Sequence, residues 1–441
     1  MNNSSSEHTP TNGAEPLGSK DALPTAINHR VKSDSLYRVI WRWHFYAGMI
    51  IAPVLIIVAA TGAIYCFKDE LEAVIYPGVT YVEPTHERVP YAQQLATARA
   101  AVPPNDRVAL MQVFTNPTRA TTLAMAGEKF RYVYVDPYRG KYLGSIEQGG
   151  FFDIVLHLHR QLLLGTTGRI VIELTTCWTI VLAATGIFLW WPSKANQVWG
   201  VWLPRLRRTP YVVLRDLHSV AGIYVAIVAI MIALTGLYYG YTWGSVVQYA
   251  SQKTDAYDMF SKPMLSKSSP DAKDVSIDRI VAIAQQTMPD NNLTVWFPRV
   301  PNAVYLVTAN NDVGPSVNEM LFIDRVTGEI LEDRFSSQTK LMYQLGTWSY
   351  PLHVGTIGGM PTRLLWLATC IVLMTLPVTG TWMWWERRPT GKSGLPRRVL
   401  ARRPRWLILI ITVVCILLPA VGISALMFLL GDIIIARWRT H

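Results

Sequence analysis

Apolar residues gather in long unbroken runs and are not spread at helical or alternating intervals. Four runs reach the ~20 residues that a membrane-crossing helix needs: 44–67, 170–191, 218–241 and 364–385. A fifth, 406–430, is as apolar but holds Pro419 and Gly422. It reads as a kinked span, or as a span followed by an interfacial tail ending in "ARWRTH". Between the runs the pattern changes. "FRYVYV" and "AVYLVT" alternate as strands do, and helical stretches precede them at about 91–102 and 276–287. "VDPYRG" places a glycine where a tight strand-to-strand turn requires one.

These readings divide the chain. Residues 1–35 form a polar, unstructured cytoplasmic tail, and 36–67 the first span, acting as an uncleaved anchor. Residues 68–168 form an α+β module with the approach to span 2 (169–191). A loop at 192–217 leads to span 3 (218–241). Residues 242–362 form a second module with the approach to span 4 (363–385). A basic loop at 386–405 precedes span 5 and the tail, 406–441. The predicted class is a mainly α integral membrane protein with two parallel span–module–span repeats and a fifth apolar helix.

Charge then orients the chain. Lys20, Arg30, Lys32, Arg38 and Arg42 precede span 1; Lys194, Arg205, Arg207, Arg208 and Arg215 fill the 192–217 loop; eight Lys and Arg fill 386–405. Short basic loops stay cytoplasmic, so both modules face outward and the N-terminus inward. Segment 68–168 carries ten basic and ten acidic residues, and 242–362 nine and twelve. The net charge of +11 therefore comes from the cytoplasmic loops, and no nucleic-acid partner is needed to explain it. Cys66, Cys177, Cys370 and Cys415 all lie in apolar runs, without metal-type spacing, and read as small buried hydrophobes.

The chain repeats itself. His44-Phe-Tyr-Ala-Gly opens span 1 and His218-Ser-Val-Ala-Gly opens span 3. Seventeen residues after each histidine stand Thr61-Gly62 and Thr235-Gly236. At another offset His159, Gly165, Arg169, Thr185-Gly186 and Trp190-Trp191 match His353, Gly359, Arg363, Thr379-Gly380 and Trp384-Trp385. Parallel repeats are related by an axis along the membrane normal. That axis sets His44 opposite His218 near the cytoplasmic face, and His159 opposite His353 near the outer face.

Two symmetric histidine pairs suit bis-imidazole ligation of haem iron, one haem b per pair. Thr-Gly and Ala-Gly steps allow close helix approach or room for a flat macrocycle. Arg42, Arg160, Arg169 and Arg363 stand beside the proposed ligands, with Arg38 and Arg215 also near, and are candidate propionate partners. A zinc or copper site is the chemical competitor, weakened because no carboxylates or thiols accompany the pairs. His157 matches Pro351 in the repeat and is the weaker ligand candidate, suited instead to a supporting or substrate-facing place. Glu173 fits a local pair with Arg169 one turn earlier, and Asp216 a cap for span 3. The paired tryptophans read as interfacial anchors. His8, His29, His86 and His441 read as bystanders.

The "HxxAG…TG" spans, "LHRQLLLGTTGR", the "TGxxxWW" exits and "VDPYRG" together resemble the PepSY-associated transmembrane proteins of the bacterial inner membrane, from about residue 35 to 430. The resemblance implies haem on His44, His159, His218 and His353, and reduction of ferric siderophores on the periplasmic side. "PLHVGTIGG" departs from the pattern, with Val354 where Arg160 stands in the first half. The expected function is a haem-dependent oxidoreductase passing electrons from a cytoplasmic or quinol donor to a ferric siderophore or similar chelate, releasing Fe(II) for uptake. No dinucleotide fingerprint is present, so the donor is a separate molecule. A non-redox binding or regulatory membrane protein is the alternative of another class. A transporter is the third, disfavoured by the lack of charges at mid-span.

Overall fold

The computed structural model describes residues 25–85, 87–191, 197–253, 264–269, 271–310, 319–334, 341–391, 394–396 and 405–438. Among the described residues four helices are long and apolar enough to cross a membrane: α1 (Thr25–Cys66, its apolar part from Leu36), α5 (Gly165–Trp190), α6 (Pro210–Leu237) and α10 (Met360–Arg387). Helix α1 begins before the boundary expected for the tail. No proline or glycine interrupts residues 25–47, so nothing stops the span helix from extending backward. The rest of the expected tail, 1–24, lies outside the described residues.

The spans form a closed ring. Helix α1 packs on α5 and α10, and α6 packs on the same two. The fifth apolar run is two helices, α11 (Arg405–Leu417) and α12 (Pro419–Trp438), bent by 116° at the break. Pro419 causes the break, since it has no N–H to continue the α11 ladder. Helix α12 docks on α5, where Trp178 donates to Ser424 Oγ at 3.0 Å.

The segments between spans build one sheet, where the sequence predicts two separate modules. Strands β1 (Arg107–Val113), β2 (Thr121–Ala126), β3 (Arg131–Val135) and β4 (Tyr142–Glu147) form one antiparallel meander. Strands β5 (Asn292–Trp296), β6 (Tyr305–Asn310), β7 (Met320–Ile323) and β8 (Ile330–Arg334) form another. β1 pairs antiparallel with β5, Met111 opposite Val295, giving the order β4-β3-β2-β1-β5-β6-β7-β8. Each meander alone would leave a row of unpaired amides on its first strand; joining the two removes both edges.

Helices α3 (Tyr91–Ala100) and α8 (Ile277–Thr287) cover one face. Met111, Leu123, Val133, Val295, Val307 and Leu321 meet Ala98, Ile280 and Ala284 there in a single core. The expected hairpin glycines sit in the left-handed region, Gly140 at φ 65° and Gly328 at φ 74°. Both turns are closed alike: the glycine N–H donates to the carbonyl of Asp136 or Asp324, and that carboxylate accepts two further turn amides.

Helix α4 (Phe151–Gln161) leads into α5 through a reversal in which Leu162, Leu163 and Gly165 all take positive φ. Its tightest point is Gly168, where a Cβ would lie 1.7 Å from the Gln161 carbonyl oxygen. Backbone cannot yield there as a flexible side chain can. Gly168→Ala is therefore expected to destabilise the protein by about 3 kcal/mol, read as a lowered Tm in detergent. Gly48→Ala, whose Cβ meets only Leu182 at 4.0 Å, should leave Tm nearly unchanged.

Candidate functional site

Four histidines converge in two facing pairs. His44 on α1 and His218 on α6 have ring centroids 6.3 Å apart, with planes at 81°. His159 ends α4 and His353 ends α9 (Leu341–Val354); their centroids lie 6.1 Å apart, with planes at 58°. Two imidazoles bound trans to one metal, with metal–nitrogen bonds of ~2 Å and ~1.1 Å from nitrogen to ring centre, would have centroids ~6 Å apart. Both pairs have this separation.

Each ring is fixed by a hydrogen bond at Nδ1. His44 Nδ1 donates to Thr185 Oγ1 at 2.9 Å. His159 Nδ1 meets Thr61 Oγ1 and the Val58 carbonyl, both at 3.0 Å. His218 Nδ1 meets Thr379 Oγ1 and the Leu376 carbonyl, both at 3.1 Å. His353 Nδ1 meets the Ile232 carbonyl at 3.0 Å and Thr235 Oγ1 at 3.4 Å. A carbonyl can only accept. Each threonine hydroxyl gives its own proton to the carbonyl one turn earlier, at 2.7–3.0 Å, so it too faces the histidine as an acceptor. Nδ1 is therefore the protonated nitrogen in all four, which leaves the Nε2 lone pair available as a donor.

The glycine of each Thr-Gly step completes the seat. A Cβ on Gly62 would lie 3.2 Å from His159 Cε1, and one on Gly236 2.9 Å from His353 Cε1. On Gly186 and Gly380 the distances to His44 and His218 Cε1 are 3.5 Å. The sequence reading gave these glycines to helix approach or to a macrocycle. They make room for the imidazole edges. The signal was there: each Thr-Gly recurs with the histidines at matched spacing.

A cavity of about 390 Å³ surrounds the His159/His353 pair, lined among others by Gly62, Arg160, Arg169, Tyr239, Tyr350 and Trp366. That size suits an organic cofactor. Among the described residues no three His, Cys, Asp or Glu side chains cluster as a metal cage. The donor set thus fits a metal that brings its own equatorial ligands, as haem does. Two residues before His44, Arg42 Nε is buried with no hydrogen-bond partner among the described residues.

Not every expected group is free to act. Arg363 does not face the cavity as a cation awaiting an anion. Its two terminal nitrogens each meet a Glu70 carboxylate oxygen at 2.6 Å, it donates to the Cys66 carbonyl, and it covers the Phe67 ring. The guanidinium holds the Glu70 carboxyl below its ordinary pKa. Glu173 is not paired with Arg169; its carboxylate accepts the amides of Thr242 and Trp243 and caps α7 (Thr242–Lys253), an end with donors to satisfy. Asp216 does not cap α6, which starts at Pro210. It is fully buried and gripped by Arg205 and Arg215 at 2.7 Å each, so Arg215 is committed there. His157 faces no partner histidine; its Nδ1 lies 2.9 Å from the Asp153 carbonyl of its own helix. Cys66, Cys177 and Cys370 are buried free thiols, as expected, and Cys415 is partly buried.

A ring of long apolar helices beneath one extramembrane sheet defines a multi-pass membrane protein. The profile of the PepSY-associated TM region matches residues 41–387, and the chain belongs to that family. No curated protein sequence matches it significantly.

Proposed function

We propose that this protein is a haem-dependent transmembrane oxidoreductase of the bacterial inner membrane, with its N-terminus cytoplasmic and its sheet periplasmic. It takes electrons from a cytoplasmic or quinol donor and delivers them to a ferric siderophore or similar ferric chelate. We further read its two halves as parallel repeats about an axis along the membrane normal, with one histidine of each pair from each half.

The observation that carries this reading is the set of four Nδ1-anchored histidines in pairs 6.1 and 6.3 Å apart. His159 rests on Thr61, seventeen residues beyond His44 on α1. At 1.5 Å per residue the pairs are ~26 Å apart along the span, near opposite faces of a ~30 Å hydrocarbon core. Haem iron, where held, supplies reversible one-electron transfer with little change in ligation. The chain's own part is to fix both imidazoles as neutral donors, to exclude water with the ring of spans and to present the sheet to substrate. Fe(II) exchanges faster and binds hard oxygen chelators less tightly than Fe(III), so reduction releases the metal.

The direct test uses proteoliposomes holding a reductant inside and a ferric siderophore with a ferrous-specific chromogenic chelator outside. Colour that depends on the protein is expected; none above empty liposomes contradicts the function. Thr185→Val removes the acceptor of His44 Nδ1. It should weaken haem retention at that pair about tenfold, seen as a haem-to-protein ratio falling toward one.

A further inference from the structure

The two arginines that match across the halves are held alike, except at one position. Arg169 donates to the Gly240 carbonyl at 3.3 Å and covers Tyr241. Arg363 donates to the Cys66 carbonyl and covers Phe67. Cys66 and Phe67 precede Gly240 and Tyr241 by 174 residues, the offset that aligns spans 1 and 3. At the same offset Glu70, which neutralises Arg363, corresponds to Gly244. Arg169 thus lacks the carboxylate its counterpart has. Among the described residues no carboxylate oxygen lies within 4.0 Å of it. The acid nearest in sequence, Glu173, also lines the cavity, but both its oxygens are engaged by the α7 amides. Arg160 also lines the cavity, and its counterpart is the uncharged Val354.

We infer that the His159/His353 cavity is a one-sided carboxylate receptor. Arg160 and Arg169 hold the anionic edge of its ligand; at the matched positions Val354 carries no charge and Arg363 is already neutralised by Glu70, so these hold none. Two near-equivalent histidines would accept a macrocycle either way round; the cations choose one orientation. A guanidinium–carboxylate contact is directional and strong enough to make that choice. This inference rests on the haem reading above, the carboxylates being the propionates.

The test uses the full-length chain carrying His44→Ala, so that only this pair is loaded. The haem-free protein is titrated with haem and with haem dimethyl ester, whose carboxylates are blocked. Arg169→Gln, and Gly244→Glu, which supplies the missing carboxylate, should each weaken haem binding about tenfold or more. Neither should change binding of the ester by more than about twofold. Arg169→Lys should recover most of the affinity, and Arg363→Gln should leave it within about twofold, because that cation is already neutralised. Unchanged haem affinity in both Arg169→Gln and Gly244→Glu would overturn the inference. So would an equal loss in Arg363→Gln, or an equal loss with the ester. A parent chain that takes up neither compound overturns the haem reading itself, which separates the two failures.

Discussion

On the proposed haem reading, His159→Ala is expected to remove one haem equivalent of two and to leave the other spectrally unchanged. The independence follows from how each pair is built. His159 is seated on α1 by Val58, Thr61 and Gly62, and faces His353. His44 is seated on α5 by Thr185 and Gly186, and faces His218. The pairs share helices but no hydrogen bond, and a separation of ~26 Å along α1 exceeds the ~10 Å beyond which substitutions act additively. Loss of one imidazole at one pair would therefore stay local. His157→Ala is the control, two residues away on the same helix. Its ring bonds only within α4 and is half exposed, so both haem equivalents should remain. Haem quantification per chain, with the reduced spectrum, checks all three proteins. Loss of both haems in His159→Ala, with retained folding, would contradict independent sites.

Gly236→Val should empty the same site without touching a ligand. A Cβ at Gly236 would lie 2.9 Å from His353 Cε1, closer than carbon atoms pack. The ring cannot retreat freely, because its Nδ1 is held by the Ile232 carbonyl one turn earlier on α6. Moving it away breaks that bond and shifts the ring relative to His159. Overpacking of this kind costs about 1–3 kcal/mol, a loss of roughly tenfold or more in affinity. The analogous change at the other pair, Gly380→Val, faces a 3.5 Å gap to His218 and should cost less. Haem content separates the two: near one equivalent for Gly236→Val, nearer two for Gly380→Val. Equal retention in both would remove the steric account of the Thr-Gly step.

The histidine pairing was legible in the sequence because an internal repeat matches residues that no local motif connects. The spans and hairpin turns were legible because run length and a glycine in a DxxxG turn are local signals. The sheet was only half legible. Alternation predicts strands, but the β1–β5 pairing spans some 180 residues and has no local signature. The arginines show a second limit. Arg169 and Arg363 are equivalent in sequence, and what separates them is Glu70 against Gly244 on other helices. Thr61 and its counterparts were visible as small residues. Their role needed the third dimension, since only the fold brings each hydroxyl to an imidazole more than ninety residues away.

The central claim is that each histidine pair holds one haem. The most direct measurement is the visible spectrum of the purified full-length protein, expressed with ample haem and recorded before and after dithionite, with haem and protein both quantified. The account predicts two haems per chain and the sharp reduced bands of six-coordinate bis-histidine b-type iron. A colourless, folded protein, or a haem spectrum that persists when His44, His159, His218 and His353 are all alanine, would contradict it.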